Sequence, residues 1–563
     1  MPSLSLKDYQ ENRQERGIYD KRNVLNDLTG KEWLFSTKTV ISKAFPSIWS
    51  QKTRSRNYNP IPNDLSKELI ETFSKPGETI LDPFAGIGST LIGSYFANTY
   101  CTPPRRHYIG IESNSGLVKI YYQLIEKLGI PDQQMLVGDP ISILSKVKNN
   151  SVDFILSDIP MWDISNSKDI EDIGMDFDFF KRSPMDAVTQ WCFSVSDILL
   201  ESVKKLKESK YCVISLPNGL YDQNNGKYEF PPMNFALSGL LAHSLQNIGL
   251  ILKAERIWFD INSNTFYKSL CRRFLVFRKE SAFKLHQDHI PDFFNGNILI
   301  GDTHIIHKSF PPSFNHKLRS KHGGMKPPEL AQILIEKYLT DPESVILDPF
   351  AGVGGTLLGA SLSGRKAIGI DINERWKAIY LQVSQENEFK PQKFIVGDSR
   401  QVVDTEIMDN TIGLILTDVP YWAMDKLQKT RGRFSKAGEE SRDKLPSPLH
   451  RFNRTSILTI DQWLELLNTV FSKSYPKLIA GKYLVVFIGN MYRTIKEERK
   501  NKVKKVGKYL FLSSMLARVL QNIGFQFEHE IIWYSPDKAL HVFGYPFSYI
   551  PSVVHQSILV FKK

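Results

Sequence analysis

Two stretches of this chain end an apolar run on the same short signature, LILTDVPYW at residues 414–422 and FILSDIPMW at 154–162. In the second copy Asp418, Pro420 and Tyr421 put a carboxylate, a backbone carbonyl (of Val419 or Pro420) and an aromatic ring within four residues. Two neighbouring acceptors suit an exocyclic amino group. By taking both N–H bonds they localise a lone pair otherwise delocalised into the heterocycle and aim it at an electrophilic carbon. The ring would stack on the extruded base. The plain alternative is a turn closed by proline beside a packed Tyr and Trp.

A second set of residues could hold a nucleotide-like molecule. ILDPFAGIGST (80–90) returns as ILDPFAGVGGT (346–356), with Asp82 and Asp348 lying 266 residues apart (348 − 82). Each is an apolar run, an acid and a glycine-rich turn into a helix. There Gly86 and Gly88, or Gly352 and Gly354, let backbone approach a ligand, with Phe350 and Thr356 in the second loop. An acid ends the next strand (Glu112 in YIGIESN, Asp371 in AIGIDIN), where it can hold both hydroxyls of a ribose. A third acid follows (Asp139, Asp398), placed to meet an adenine amino group. A lone glycine turn is most often only a turn; three features recurring together twice favour a cofactor site. The spacing matches neither GxGxxG nor GxxxxGK[ST].

The elements that must position these residues are repeated as well. FPSIWSQKTRS (45–55) answers FPPSFNHKLRS (310–320), KYCVISLPNG (210–219) answers KYLVVFIGNM (482–491), and FLVFRK (274–279) answers ILVFKK (558–563). The offset drifts from 265 to 284 residues, so the copies differ by loop insertions. Strand-like runs alternate with helix-like ones in both, which predicts an α/β fold with a mostly parallel sheet and ligands at the carboxyl ends of its strands. A domain-sized period predicts two tandem domains, 1–290 and 291–563.

At 563 residues and 42% hydrophobic content the chain can bury two cores. It contains no signal-peptide-like or membrane-length apolar run, and Cys101, Cys192, Cys212 and Cys271 lack metal or disulfide spacing. A cytoplasmic setting without membrane or metal is expected. A net charge of +12 favours polyanionic partners.

Taken together, the motifs resemble the amino-directed (N6-adenine or N4-cytosine) S-adenosylmethionine-dependent DNA methyltransferases. Their DPFAGSGTT-like cofactor loop is similar to residues 82–90 and 348–356, and their DPPY-like catalytic motif to 158–161 and 418–421. GGMKPPELAQILIEKYLTDPESVILDPFAG (323–352) resembles their entry into the cofactor loop. The resemblance implies two Rossmann-like class I methyltransferase domains, S-adenosylmethionine as cofactor, DNA as partner and Asp418, Pro420 and Tyr421 as catalytic residues.

The two copies depart from that pattern unequally. Ile159 and Val419 replace a proline, and Met161 stands where Tyr421 would stack on a base; such stacking is worth roughly 1–3 kcal/mol. Residues 163–187 carry seven acids against three basic residues, whereas 423–454 carry nine Lys or Arg against four acids. Phosphate would be drawn to the second loop, Lys429, Arg431 and Arg433 among its residues, and repelled by the first. Lys317 and Arg319 are further candidate phosphate contacts, and 493–508 is a basic stretch. The C-terminal copy is therefore expected to be active and the N-terminal one degenerate. The resemblance also implies adenine N6 ahead of cytosine N4, because the family's cytosine N4 enzymes more often carry Ser where this chain has Asp at the first motif position. The expected setting is DNA modification, in a monomer acting as a covalent pseudodimer with a possible cognate endonuclease. RNA base methylation and an idle DNA-binding subunit are the alternatives.

Overall fold

A computed structural model describes residues 17–563 except 46–59, 100–103, 161–183, 218–220, 223–226, 229–233, 248, 263–266, 281–298, 300, 323, 421, 423–458, 500–501, 539 and 541. The chain forms two compact units. Unit 1 comprises Met1–Ile305, Met491–Leu510 and Asp537–His555; unit 2 comprises Ile306–Asn490, Phe511–Pro536 and Gln556–Lys563.

Unit 1 is built on strands β1 (Val40–Ser42), β2 (Thr79–Asp82), β3 (His107–Glu112), β4 (Met135–Val137), β5 (Val152–Asp158), β6 (Leu206–Pro217), β7 (Leu250–Phe259) and β8 (Arg272–Lys279). Their order in the sheet is β1-β7-β8-β6-β5-β2-β3-β4. The strands from β6 to β4 pair in parallel, and β8 runs antiparallel to both β6 and β7. Unit 2 repeats this plan with β9 (Val345–Asp348), β10 (Lys366–Asp371), β11 (Lys393–Val396), β12 (Ile412–Asp418) and β13 (Leu478–Ile488). After the hairpin β14 (Met491–Arg499) and β15 (Lys502–Leu510) come β16 (Gln526–Tyr534) and β17 (His555–Lys562). The order β16-β17-β13-β12-β9-β10-β11 reproduces β7-β8-β6-β5-β2-β3-β4 strand for strand, and β17 is again antiparallel to its neighbour β13. Both units are thus the α/β, Rossmann-like fold that the repeat predicts.

Sequence explains why these runs form strands with both faces covered. Six of the seven residues of VDFILSD (β5) and of IGLILTD (β12) are buried, leaving only the terminal aspartate partly accessible; near-continuous apolar runs are what a parallel strand under two helical layers requires. The order reverses direction between β2 and β5, and between β9 and β12, so the carboxyl ends of these neighbours flank the crevice where such sheets bind ligands. Asp82 and Asp158 end the first pair, Asp348 and Asp418 the second. The helix Gly355–Leu362 that leaves the cofactor loop packs closely on the preceding helix Pro328–Tyr338. A Cβ on Gly359 would lie 2.6 Å from that of Ala331.

Two segments downstream of the expected 290/291 boundary pack in unit 1. The ribbon β14–β15 is anchored by Lys253 Nζ, which donates to Gly507 O at 2.7 Å. It is held also by Tyr509 Oη, which donates to the fully buried Glu255 carboxylate at 3.2 Å. In segment 537–555, Phe543 O accepts from Trp33 Nε1 at 3.0 Å, and the Tyr549 ring lies 4.9 Å from Phe73. His555 Nδ1 meets Thr39 Oγ1 at 2.9 Å.

Candidate active site

The turn after β9 is shaped by its own acid. Asp348 is buried, and its Oδ1 accepts from the Phe350 N–H at 3.0 Å and from Thr417 Oγ1 on β12 at 2.6 Å. Asp82 does the same with Phe84 N–H (3.0 Å) and Ser157 Oγ (2.8 Å), adding Thr90 Oγ1 at 2.5 Å. Burial pushes the Asp348 carboxyl up to about 6 and that of Asp82 up to about 7, against these hydrogen bonds. Both acids were expected to meet a cofactor. Their described partners are instead the turn and the neighbouring strand. Thr356 likewise points its hydroxyl at Leu416 O, 3.4 Å away, and is nearly inaccessible.

These raised values carry a stability consequence. A carboxyl whose folded value exceeds the unfolded one binds more protons when folded, so stability is lost as pH rises from about 4 towards about 7. Asp82→Asn should remove that dependence. Its stability relative to the parent should rise between about pH 5 and about pH 8 by about 3 kcal/mol, read as a rise in relative melting temperature. A parallel pH response of the two proteins would show that Asp82 does not titrate in this range.

The second acid of each unit faces the loop mouth. Asp371 Oδ2 accepts from Gly352 N–H at 3.0 Å and Oδ1 from Asn373 N–H at 2.9 Å. Glu112 matches it on Gly86 N–H (2.7 Å) and Asn114 N–H (2.8 Å). Gly352 and Gly354 have φ of 49° and 76°, a region that favours glycine. A Cβ on Gly352 would lie 2.9 Å from His322 Nε2, and one on Gly354 would lie 2.3 Å from the Tyr380 ring. The loop is thus a cradle that only glycine fits, with a half-buried carboxylate at its edge. That donor and acceptor set suits a ribose-bearing cofactor such as S-adenosylmethionine, Asp371 or Glu112 taking the hydroxyls. The third acids cap their own helices: Asp139 accepts from Ser142 N–H at 2.7 Å, and Asp398 from Arg400 N–H at 3.0 Å and its guanidinium at 2.6 Å. These hydrogen bonds hold both carboxyls below their usual range. Gly397 N–H donates to Asp371 O at 3.0 Å, which keeps Asp398 beside Asp371.

At the end of β12, Asp418 Oδ2 accepts from Lys326 Nζ at 2.6 Å, with the lysine side chain almost wholly buried. Lys326 stands two residues before the helix Pro328–Tyr338, in the KPPEL run, and its ammonium also lies 5.6 Å from the Phe487 ring centroid. Arg319 braces this segment: its guanidinium donates to Lys326 O at 2.8 Å. That corrects its expected role as a phosphate contact. Arg319 is 1% exposed, and burial pushes its guanidinium down to about 10. Lys317, on the same helical turn, is exposed. Pro420 O accepts from the buried Trp463 indole at 2.8 Å. Tyr421, Met161, residues 163–183 of the first post-catalytic loop and all of 423–454, with Lys429, Arg431 and Arg433, lie outside the described residues.

The matching corner of unit 1 is wired differently. Asp158 Oδ1 accepts from Arg272 Nη1 at 2.5 Å, and the same nitrogen reaches Ser215 Oγ at 3.0 Å. Arg272 is fully buried. Burial raises the Asp158 carboxyl above its usual range, against the opposing pull of Arg272. By strand register Ser215 corresponds to Phe487 and Arg272 to Gln556. Ile61, whose place before the entry helix matches that of Lys326, supplies no charge. Neither cation was singled out from sequence. The only available hint was that Lys326 and Ile61 differ within otherwise matching entry segments.

A family model described as DNA methylase, of the N6/N4 methyltransferase type, matches residues 4–123 and 152–382. Among curated relatives, a tRNA (guanine(10)-N2)-dimethyltransferase of Methanocaldococcus jannaschii is 31% identical over 134 residues, 23% of this chain and 37% of that protein. The Type II methyltransferase M.HindIII of Haemophilus influenzae is 41% identical over 69 residues, 12% of this chain and 19% of that one. A further tRNA (guanine(10)-N2)-dimethyltransferase, of Methanothermobacter thermautotrophicus, is 30% identical over 178 residues, 30% of this chain and 51% of that one. The chain thus spans about a fifth to a half of these relatives. Among solved structures, TrmN of Thermus thermophilus matches at 14% identity and a TM-score of 0.28, covering 55% of this chain and 60% of that one. Among the described residues no helix is long and apolar enough to cross a membrane.

Proposed function

We infer the activity from one premise: the chain belongs to the DNA methylase family of S-adenosylmethionine-dependent N6/N4 methyltransferases. We propose that unit 2 methylates an exocyclic amino nitrogen of a base in DNA, adenine N6 ahead of cytosine N4. The observation that carries this reading is the corner at the end of β12, where Asp418 is fixed by Lys326 beside the glycine cradle of Asp348–Gly354. The cofactor, when bound, supplies an activated methyl group. Asp371 holds its ribose and Asp398, on the neighbouring strand end, its adenine.

Asp418 accepts one N–H of the target amino group, which localises the nitrogen lone pair. Of the two carbonyls considered for the other N–H, that of Pro420 takes the Trp463 indole, which makes Val419 the better candidate. Tyr421 is proposed to stack on the extruded base. Lys326 acts through Asp418: an ammonium on one oxygen fixes the carboxylate rotamer. The basic loop 423–454 and the ribbon β14–β15 are the proposed DNA contacts, a two-stranded ribbon being narrow enough for a major groove.

A second reading, methylation of an amino group in tRNA, is favoured by the two tRNA-modifying relatives. Incubation with tritium-labelled S-adenosylmethionine and either genomic DNA or total tRNA separates the two. Label is expected in DNA, recovered as N6-methyladenine on nucleoside analysis. Label confined to tRNA would overturn the DNA assignment and leave the amino-transfer chemistry standing.

A further inference from the structure

We propose that unit 1 is a second S-adenosylmethionine site that holds the cofactor without transferring its methyl group, because Arg272 bolts its acceptor corner. This rests on the family reading for the identity of the cofactor, and on unit 1's own geometry for the rest.

The cofactor half of the site is intact. Gly86 N–H and Asn114 N–H bind the Glu112 carboxylate as their counterparts bind Asp371 in unit 2. Gly86 and Gly88 have φ of 55° and 76°, close to the 49° and 76° of Gly352 and Gly354, and a Cβ on Gly88 would lie 2.2 Å from the Tyr121 ring. Glu112 thus keeps a half-buried carboxylate at the mouth of the glycine turn, in the place that Asp371 holds in unit 2.

The acceptor half is closed. In unit 2 the cation on the catalytic carboxylate is a lysine from the entry segment, a flexible single-point donor. In unit 1 it is a planar guanidinium from β8, clamped between Asp158 and Ser215. Arg272 is fully buried, and its Nε and Nη2 have no hydrogen-bond partner among the described residues. Leaving buried donors unmade costs about 1–3 kcal/mol, so the group is retained for its position next to Asp158. A base amino group brought to this corner would meet buried guanidinium N–H donors beside Asp158, which repel its own N–H bonds. The sequence difference of Met161 for Tyr421 points the same way.

Equilibrium dialysis of the full chain with tritium-labelled S-adenosylmethionine tests the proposal. The parent is expected to take up two molecules per chain, Asp371→Ala one, and Asp371→Ala/Glu112→Ala none. One molecule on the parent and none on Asp371→Ala would overturn the second site while leaving the methyltransferase reading intact; no uptake by the parent would remove that reading as well. Ultraviolet cross-linking of the labelled cofactor to the parent, followed by peptide mapping, gives the same answer without a variant. Label is expected on both the 80–90 and the 346–356 peptides, and label on the second alone would overturn the proposal. In a pulse-chase with both sites loaded, no more than half of the bound label should reach nucleic acid. Transfer of nearly all of it would show that Arg272 does not bolt the site.

Discussion

Asp418→Ala is expected to lower methyl transfer by about a hundred- to a thousandfold, the usual cost of removing one preorganised group that meets charge developing in the transition state. Cofactor uptake should be preserved, because Asp418 sits at the end of β12 and Asp371, the proposed ribose acid, at the end of β10. The comparison in unit 1 needs care. Removing Asp158 alone strands a buried guanidinium, and breaking a buried pair from one side costs about 3–5 kcal/mol. The double change Asp158→Asn with Arg272→Gln, which installs the residue found at the matching position Gln556, avoids that charge. It should retain most of the transfer activity. If instead it abolishes transfer while Asp418→Ala does not, the active unit has been assigned to the wrong half. If neither change matters, the chain is an idle binding subunit. Lys326→Met belongs to the same series. It keeps the length of the stem and deletes the ammonium, so kcat should fall with little change in the KM for S-adenosylmethionine.

The second large effect is expected at Asp371. Its carboxylate is proposed to accept from two ribose hydroxyls, and hydrogen bonds to a charged group contribute about 1.5–3 kcal/mol each. Asp371→Ala should weaken S-adenosylmethionine binding at unit 2 by about a hundredfold or more, read as the loss of the tighter or the weaker of two calorimetric isotherms. The same carboxylate also ties down Gly352 and Asn373, so part of the loss would come from a loosened loop. Asp371→Glu separates the contributions, since Glu112 performs the same bonding in unit 1. Affinity within about tenfold of the parent is expected for that variant. Unaltered binding by Asp371→Ala would remove the residue from its ribose role.

Much of this arrangement was legible in the sequence because its signals are local. A strand, an acid and a glycine turn occupy about ten consecutive residues, so their chemistry and backbone geometry travel together. Repetition of that set, in order, gave the two α/β units and placed the cradle residues Gly352, Gly354 and Asp371. The roles of Asp348 and Thr356 were less legible. Their types are what a cofactor loop would show, yet burial turns both side chains towards β12. Arg319 failed as a phosphate contact for a similar reason. Its charge suggests a surface, whereas a guanidinium with a nearby backbone carbonyl to bond can be buried as a brace.

Sequence by itself therefore determined the duplicated fold, the glycine turns and the two candidate catalytic carboxylates, each encoded within one strand and the turn that follows it. Only the tertiary structure decided what each carboxylate faces. Lys326 reaches Asp418 across 92 residues and Arg272 reaches Asp158 across 114. Nothing local ties either pair together. Helix packing brings the entry segment to the end of β12, and sheet order sets β8 one strand beyond β6 from the end of β5; each buried corner so formed places a cation next to its acid. Which cation fills it, a flexible lysine or a clamped arginine, separates the proposed working site from the proposed holding one.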